Sequence, residues 1–413
     1  MRIRNAGVVV AALALAAAGC GDGDTTDNTG DQKLGGSLVI WADDKRAAAL
    51  KPFAEQFGTD NGVTVEVKAV SEDLQTNYVT ATQAGSGPDI VVGAHDWIGN
   101  LVQNGTIEPV QLSADQKAKF EEIAIKGVTY NGQLYGVPYA VENLALIRNT
   151  ELAPTAPATI EDLVAAAKQL KAAGKVSELM CLQVGQNGDA YHIYPLYTSG
   201  GGYLFGTKPN GDYDPADLGV GKPESIAAFA KIRALGEQGE GALKRSIEAG
   251  NSIATFTDKK CAYLVSGPWA ITDIKTAGIA YDISPVPGFA GGKPAQPFVG
   301  VQAFYVSSKG ANKAVAQEFV ANYLTRAEVA KALYDAEPRP PALTAALEQV
   351  KSTDPDAQKF LQAGANGAIL PAIPEMAAIW DPFGKAEAAI VSGEDPAATL
   401  AGAAKTISDQ ITK

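Results

Sequence analysis

Residues 85–97, GSGPDIVVGAHDW, put a carboxylate and an indole side by side at Asp96 and Trp97. Such a pair suits a sugar, whose hydroxyls bond to the carboxylate while the C–H face of a pyranose packs on the ring. The same two residues also fit a loop Asp capping the next helix, with Trp97 as that helix's first packing residue. A second chemistry is open to the acids. Asp96, Glu142, Asp189 and Asp381 include enough carboxylates for the acid pair of a secreted glycoside hydrolase, a reaction that depends on their separation in space. Two histidines and three cysteines, at spacings unlike a zinc site, leave no metal centre to expect. No GxxxxGK[ST] phosphate loop occurs, and no cofactor is expected.

The elements that must hold these residues follow from the apolar pattern. Asp89 to Val92 is short and β-branched, bounded by Gly87-Pro88 and by Gly93, which predicts a strand buried on both faces. Ala94 to Trp97 then falls just past its carboxyl end, where open α/β sheets hold ligands. Upstream, Ser37 to Trp41 reads as a first strand with Trp41 in the core, and Asp44-Lys45 as the cap of a helix carrying Leu50, Phe53 and Phe57. Val63, Val65 and Val67 alternate as a second strand, and a helix follows from about Leu74. This βαβαβ order predicts a parallel sheet with right-handed crossovers. Asn131-Gly132 signals a hairpin. In the second half, strands are expected at 179–182, 262–265 and 298–306, with capping boxes at Thr159–Asp162 and Thr325–Glu328. The extended runs near 138–147 and 298–306 are candidates for strands that pass between two lobes.

The totals bound the class. A chain of 413 residues, 46% hydrophobic, exceeds one core. The net charge of −12, without a basic run, argues against nucleic acid or anionic lipid and fits a neutral ligand. Arg2 and Arg4, the apolar run Val8 to Ala18, and Ala17-Ala18-Gly19-Cys20 resemble a bacterial lipoprotein signal, residues 1–19, with lipid on Cys20. An ordinary secretory signal is the other reading, and both export the chain. Residues 20–36 are a polar tether. Cys181 and Cys261 then remain in an oxidising compartment, where a disulfide is the natural hypothesis and buried free thiols the alternative.

Six separated blocks are more specific than any single motif: GSLVIW at 36–41, GSGPDIVVGAHD at 85–96, YNGQLYGVPYAVENLALIRN at 130–149, SGPWA at 266–270, PFVGVQAF at 297–304 and LPAIPEMAAIW at 370–380. In this order they resemble the maltose/maltodextrin-binding proteins of ABC importers, over essentially the whole chain from about Gly36. The resemblance implies a two-lobed α/β fold of the periplasmic-binding-protein (Venus flytrap) type, with hinge strands crossing between lobes. The lobes would be 37–142 with 299–351, and 143–298 with 352–413. It implies an oligosaccharide, α-glucan favoured, held by Asp44, Lys45, Asp96, Glu142, Asp189, Tyr191, Trp269 and Trp380. Trp97 and Asp381, which stand where the family has Arg and Tyr, are expected at the ligand as well, while Gly93 stands where it has Trp and Gly384 where it has Arg; trehalose-like and cyclic glucans stay open. The expected partners are permease subunits with a separate ATPase, and the membrane through the lipid only. The expected state is a monomer, not an enzyme, on the outer face of the cytoplasmic membrane.

Overall fold

A computed structural model describes residues 34–209 and 211–412. The predicted signal peptide, Cys20 and the tether up to residue 33 lie outside the described residues. Among the described residues no helix is long and apolar enough to cross a membrane, and no cluster of three or more His, Cys, Asp or Glu is placed to hold a metal ion.

The chain begins as βαβαβ: strand Ser37–Ala42, helix Asp44–Asn61, strand Thr64–Ala69, helix Leu74–Gln83 and strand Ile90–Ala94. The first strand pairs in parallel with both others and so lies between them. Asp89 fixes that arrangement from the foot of the third strand. Its buried carboxylate accepts from the Val39 amide at 2.8 Å and from the Asn312 amide at 2.9 Å. The first helix is capped one residue earlier than Asp44-Lys45. Asp43 is extended, which lets its oxygen reach back to the Arg46 amide at 3.0 Å, and Asp44 is already helical. Trp41 is only half-buried, since its ring lies under the Lys68 ammonium, 4.9 Å from the centroid. The Thr325 box does not form either. A π-helical turn, Phe319–Tyr323, extends the preceding helix, so the Thr325 hydroxyl donates back to Ala321 O at 3.0 Å.

Two long strands join this sheet, the first of them in the opposite sense. Phe298–Ser307 runs antiparallel to Ile90–Ala94 on one side and to Gly136–Asn143 on the other. Every residue of both long strands is buried, which is why they read as continuous apolar runs and not as alternation. A second sheet has the order Tyr281–Ser284, Ala145–Asn149, Tyr263–Ser266, Cys181–Leu182. Pairing of Cys181 with Leu264 brings it close to Cys261, and the two cysteines form a disulfide.

Buried apolar side chains divide along the same strands. One core takes residues from Leu38 to Val141 and from Val299 to Ala346. A second takes residues from Leu144 to Phe298 and from Leu370 to Ile407. The changeover falls between Val141 and Leu144, and between Phe298 and Val299.

Candidate functional site

Each sheet delivers an indole through the same kind of junction. Strand Ile90–Ala94 passes into a 3₁₀ turn, His95–Trp97, and then helix Ile98–Gln103. Strand Tyr263–Ser266 passes into the turn Pro268–Ala270 and helix Ile271–Thr276. A glycine underlies each ring. A Cβ on Gly93 would sit 2.0, 2.4 and 2.6 Å from three adjacent ring atoms of Trp97, and one on Gly267 would sit 2.1, 2.3 and 2.5 Å from three of Trp269. Distances so even place the glycine against the ring face, so any side chain there would evict the indole. Both rings stay half-buried and therefore reachable.

His95 ties this junction to the rest of the fold. Its Nδ1 accepts from the Val301 amide at 3.0 Å and its Nε2 lies 2.9 Å from Leu370 O, which fits a neutral ring with the proton on Nε2. Burial lowers its pKa to about 4, keeping it in that form. Asp96 next to it is not a cap, for helix Ile98–Gln103 has no side-chain cap. Its carboxylate meets its own amide and no other hydrogen-bonding residue among the described residues.

Polar groups from both cores converge opposite. Glu142, 8% exposed, accepts from Gln302 Nε2 at 2.8 Å and pairs with Arg339 Nε. Arg339 also pairs with Glu337 through Nη1, and its guanidinium stands 5.3 Å over the Trp269 ring. Glu142 belongs to the sheet of the first core and Trp269 packs against the second, so this guanidinium joins the two. Tyr191, in the first turn of helix Ala190–Ser199, lies 6.4 Å from Trp269 and stacks at 6.0 Å on Phe298. Trp380 meets Phe298 edge-on at 6.3 Å, completing a row of four aromatic rings. The Tyr191 hydroxyl and Gln302 Oε1 are buried with no hydrogen-bond partner among the described residues. Leaving a buried polar atom unpaired costs about 1–3 kcal/mol, a cost that a polar ligand reaching these two atoms would relieve. Burial holds the Tyr191 phenol well above its usual range, reinforced by Glu142 and Asp96, so it remains a neutral donor.

Other expected residues take different places. Asp189 caps helix Ala190–Ser199, accepting from the Tyr191 and His192 amides at 3.1 and 2.8 Å and from Gln183 Nε2. Burial disfavours its ionisation, but the His192 contacts and Gln183 outweigh that and hold its carboxyl below the usual range. Its oxygens thus position Tyr191. Asp381 stands exposed and pairs with Lys385 at 2.8 Å, away from the converging groups. Asp44 and Lys45 are exposed, and Lys45 lines a small cavity with Tyr139 and Glu337. Sequence reasoning missed Arg339 and Gln302. Arg339 is 197 residues from Glu142, and no local pattern marks it.

Burial, with Glu142 nearby, pushes the Asp96 carboxyl up to about 7. The group is crowded by protein yet only half-buried, so water relieves part of the penalty. A raised acid pKa means that the folded state holds the proton more tightly than the unfolded one; stability is full below about 4 and is lost as pH rises to about 7. Asp96→Asn, which cannot ionise, is expected to match the parent near pH 4 and to exceed it by at least about 1 kcal/mol above pH 7. Chemical denaturation of the ligand-free protein across that range measures the difference, and parallel curves would refute the assignment.

Residues 50–359 match the family described as bacterial extracellular solute-binding protein. The chain is 27% identical over 421 residues to the galactooligosaccharide-binding protein of Bacillus subtilis, covering 98% of this chain and 96% of that one. It is 28% identical over 415 residues to a maltooligosaccharide ABC transporter solute-binding lipoprotein of Streptococcus pneumoniae, covering 98% and 96%. It is also 28% identical over 356 residues to the maltotriose-binding protein of Pyrococcus abyssi, covering 84% and 75%.

Proposed function

This chain belongs to the bacterial extracellular solute-binding proteins, and on that premise we propose a sugar receptor of an ABC importer that binds maltodextrin-type α-glucosides between two lobes. The lobes are residues 37–142 with 299–351, and 143–298 with 352–413, a division that follows the two cores. The observation that carries the reading is the convergence at Tyr191. An orphaned hydroxyl and the Arg339 fork lie beside Trp269, and the Asp96 carboxylate is within electrostatic reach of that hydroxyl, which suits a ligand with many hydroxyls and an apolar ring face.

Asp96, Arg339 and Tyr191 bond to hydroxyls, Trp269, Trp97 and Trp380 pack on ring faces, and Glu142 holds Arg339 in place. Lys45 and Asp44 reach in from the rim. Because these groups come from both lobes, all of them contact sugar only when the lobes are closed. Sugar therefore favours closure by its differential affinity. A lipid on Cys20 keeps the receptor, a monomer, at the outer face of the membrane, where it passes sugar to permease subunits served by a separate ATPase. Hydrolysis is disfavoured by the state of the acids. Glu142 is occupied by Arg339 and Gln302, and Asp189 by its helix, so Asp96 lacks the second free carboxylate that cleavage requires.

Calorimetry and thermal shift against maltose, maltotriose, longer dextrins, trehalose and galactooligosaccharides test this. Ligand at 100 times its dissociation constant is expected to add about 2.7 kcal/mol of stability. A response to galactooligosaccharides alone would favour the second sugar class, which similarity to the Bacillus protein supports. Glucose released from maltotriose would overturn the non-enzymatic reading.

A further inference from the structure

The row of rings Trp269, Tyr191, Phe298 and Trp380 ends at helix Trp380–Ser392, and the next turn of that helix is covered. Gly188 has φ +77°, and a Cβ on it would lie 1.6 Å from Gly384 O and 2.2 Å from Gly384 C. The loop backbone therefore rests directly on the helix backbone, one turn beyond Trp380. Only glycine permits both that φ and that approach. A Cβ on Gly384 in turn would come within 3.0 Å of Asn187 O, so no side chain stands between loop and helix.

The loop is also fastened at both ends. Val184 and Gly185 amides each donate to Ile247 O at 2.9 Å, and the Asp189 amide donates to Glu387 Oε2 at 2.6 Å. Glu387 is fully buried in the same helix as Gly384. Burial, with Asp189 beside it, holds its carboxyl well above the usual range, so no buried charge strains the joint. Gln186 and Asn187 are exposed on this fixed base, and Gln186 Nε2 donates to Arg245 O at 3.4 Å.

We infer that residues 185–188 are a rigid wall closing the Trp380 end of the cleft, so that the site takes a linear oligosaccharide by one of its ends and not by its middle. This rests on the sugar-receptor reading and adds what kind of glucan fits. A chain grows out of the cleft only away from the wall, so the two ends of a bound sugar are unequal. A cyclic glucan has no end to offer.

The test is calorimetry on the whole exported protein with maltotriose, with maltotriose carrying a bulky aryl group at the reducing end, with the same group at the other end, and with β-cyclodextrin. One aryl derivative is expected to bind within about threefold of maltotriose, and the other to lose at least about thirtyfold, roughly 2 kcal/mol. Cyclodextrin is expected to lose at least as much. Gln186→Ala with Asn187→Ala, which keeps the loop's length and both its anchors, is expected to recover part of the lost affinity of the excluded derivative. Equal tolerance of both aryl derivatives, or cyclodextrin binding as tight as maltotriose, overturns the wall and leaves the receptor reading intact. Failure of every glucan to bind takes down the wall together with the maltodextrin assignment on which it rests.

Discussion

Trp269→Ala is expected to weaken oligosaccharide binding by about a hundredfold, close to 2.7 kcal/mol. The indole meets Arg339 from the first core while packing against Tyr191 and His192 in the second, at 5.3, 6.4 and 6.3 Å. Interface residues of this kind, aromatic and paired with a fork-shaped cation, tend to carry much of a binding energy. Truncation removes the stacking surface and also the contact through which the guanidinium joins the two cores. Trp269→Phe keeps a smaller flat ring and is expected to lose about tenfold, near 1.4 kcal/mol. Calorimetry with the best-binding glucan measures both. Alanine at this position with affinity within threefold of the parent would mean that sugar sits elsewhere, whereas a change in fold would show separately in the denaturation midpoint.

Arg339→Met is expected to have the largest effect on stability, about 3–5 kcal/mol, because it strands two carboxylates. Glu142 and Glu337 side chains are only 9% and 14% exposed, and both pair with this guanidinium. Breaking such a pair leaves uncompensated charge in a crowded site, and that penalty exceeds the net worth of the pair itself. The physical cause predicts its own remedy. Adding Glu142→Gln to Arg339→Met is expected to recover at least half of the lost stability, since a neutral amide of the same shape can still accept from Gln302. Urea denaturation of the single and double variants decides it. If the double variant is no more stable than the single one, lost packing and not stranded charge is responsible. The double variant is also expected to bind sugar weakly, separating the stabilising role of the cluster from its contact with ligand.

Several features of the site were legible because they are local. Strand Ile90–Ala94 shows in its β-branched run, and Asp96 with Trp97 shows in the polar cluster just past its end. The crossing of strands between cores shows in two unusually long apolar runs. Local patterns were ambiguous where a rule had two solutions. Asp43 and Asp44 both suit a cap, and only the extended backbone of Asp43 chose between them. Asp189 is a plausible ligand carboxylate and an equally plausible cap, and the helix it starts takes its oxygens. Asp381 follows Trp380 directly, yet helical geometry turns it to solvent while the indole turns inward.

The sequence by itself determined the α/β class of the fold, membership of an extracellular solute-binding family and the residue types gathered in the candidate site. Those depend on patterns within a few residues and on blocks that keep their order. Tertiary structure alone decided which groups meet. Arg339 reaches Glu142 and Trp269 from distant segments, and Gly188 settles on Gly384 nearly two hundred positions away. The glycines beneath the indoles belong to the same class. Each is an ordinary loop glycine in one dimension, and becomes the seat of a ring only when the chain folds back at contact distance, where the absence of one carbon decides whether the indole can lie flat.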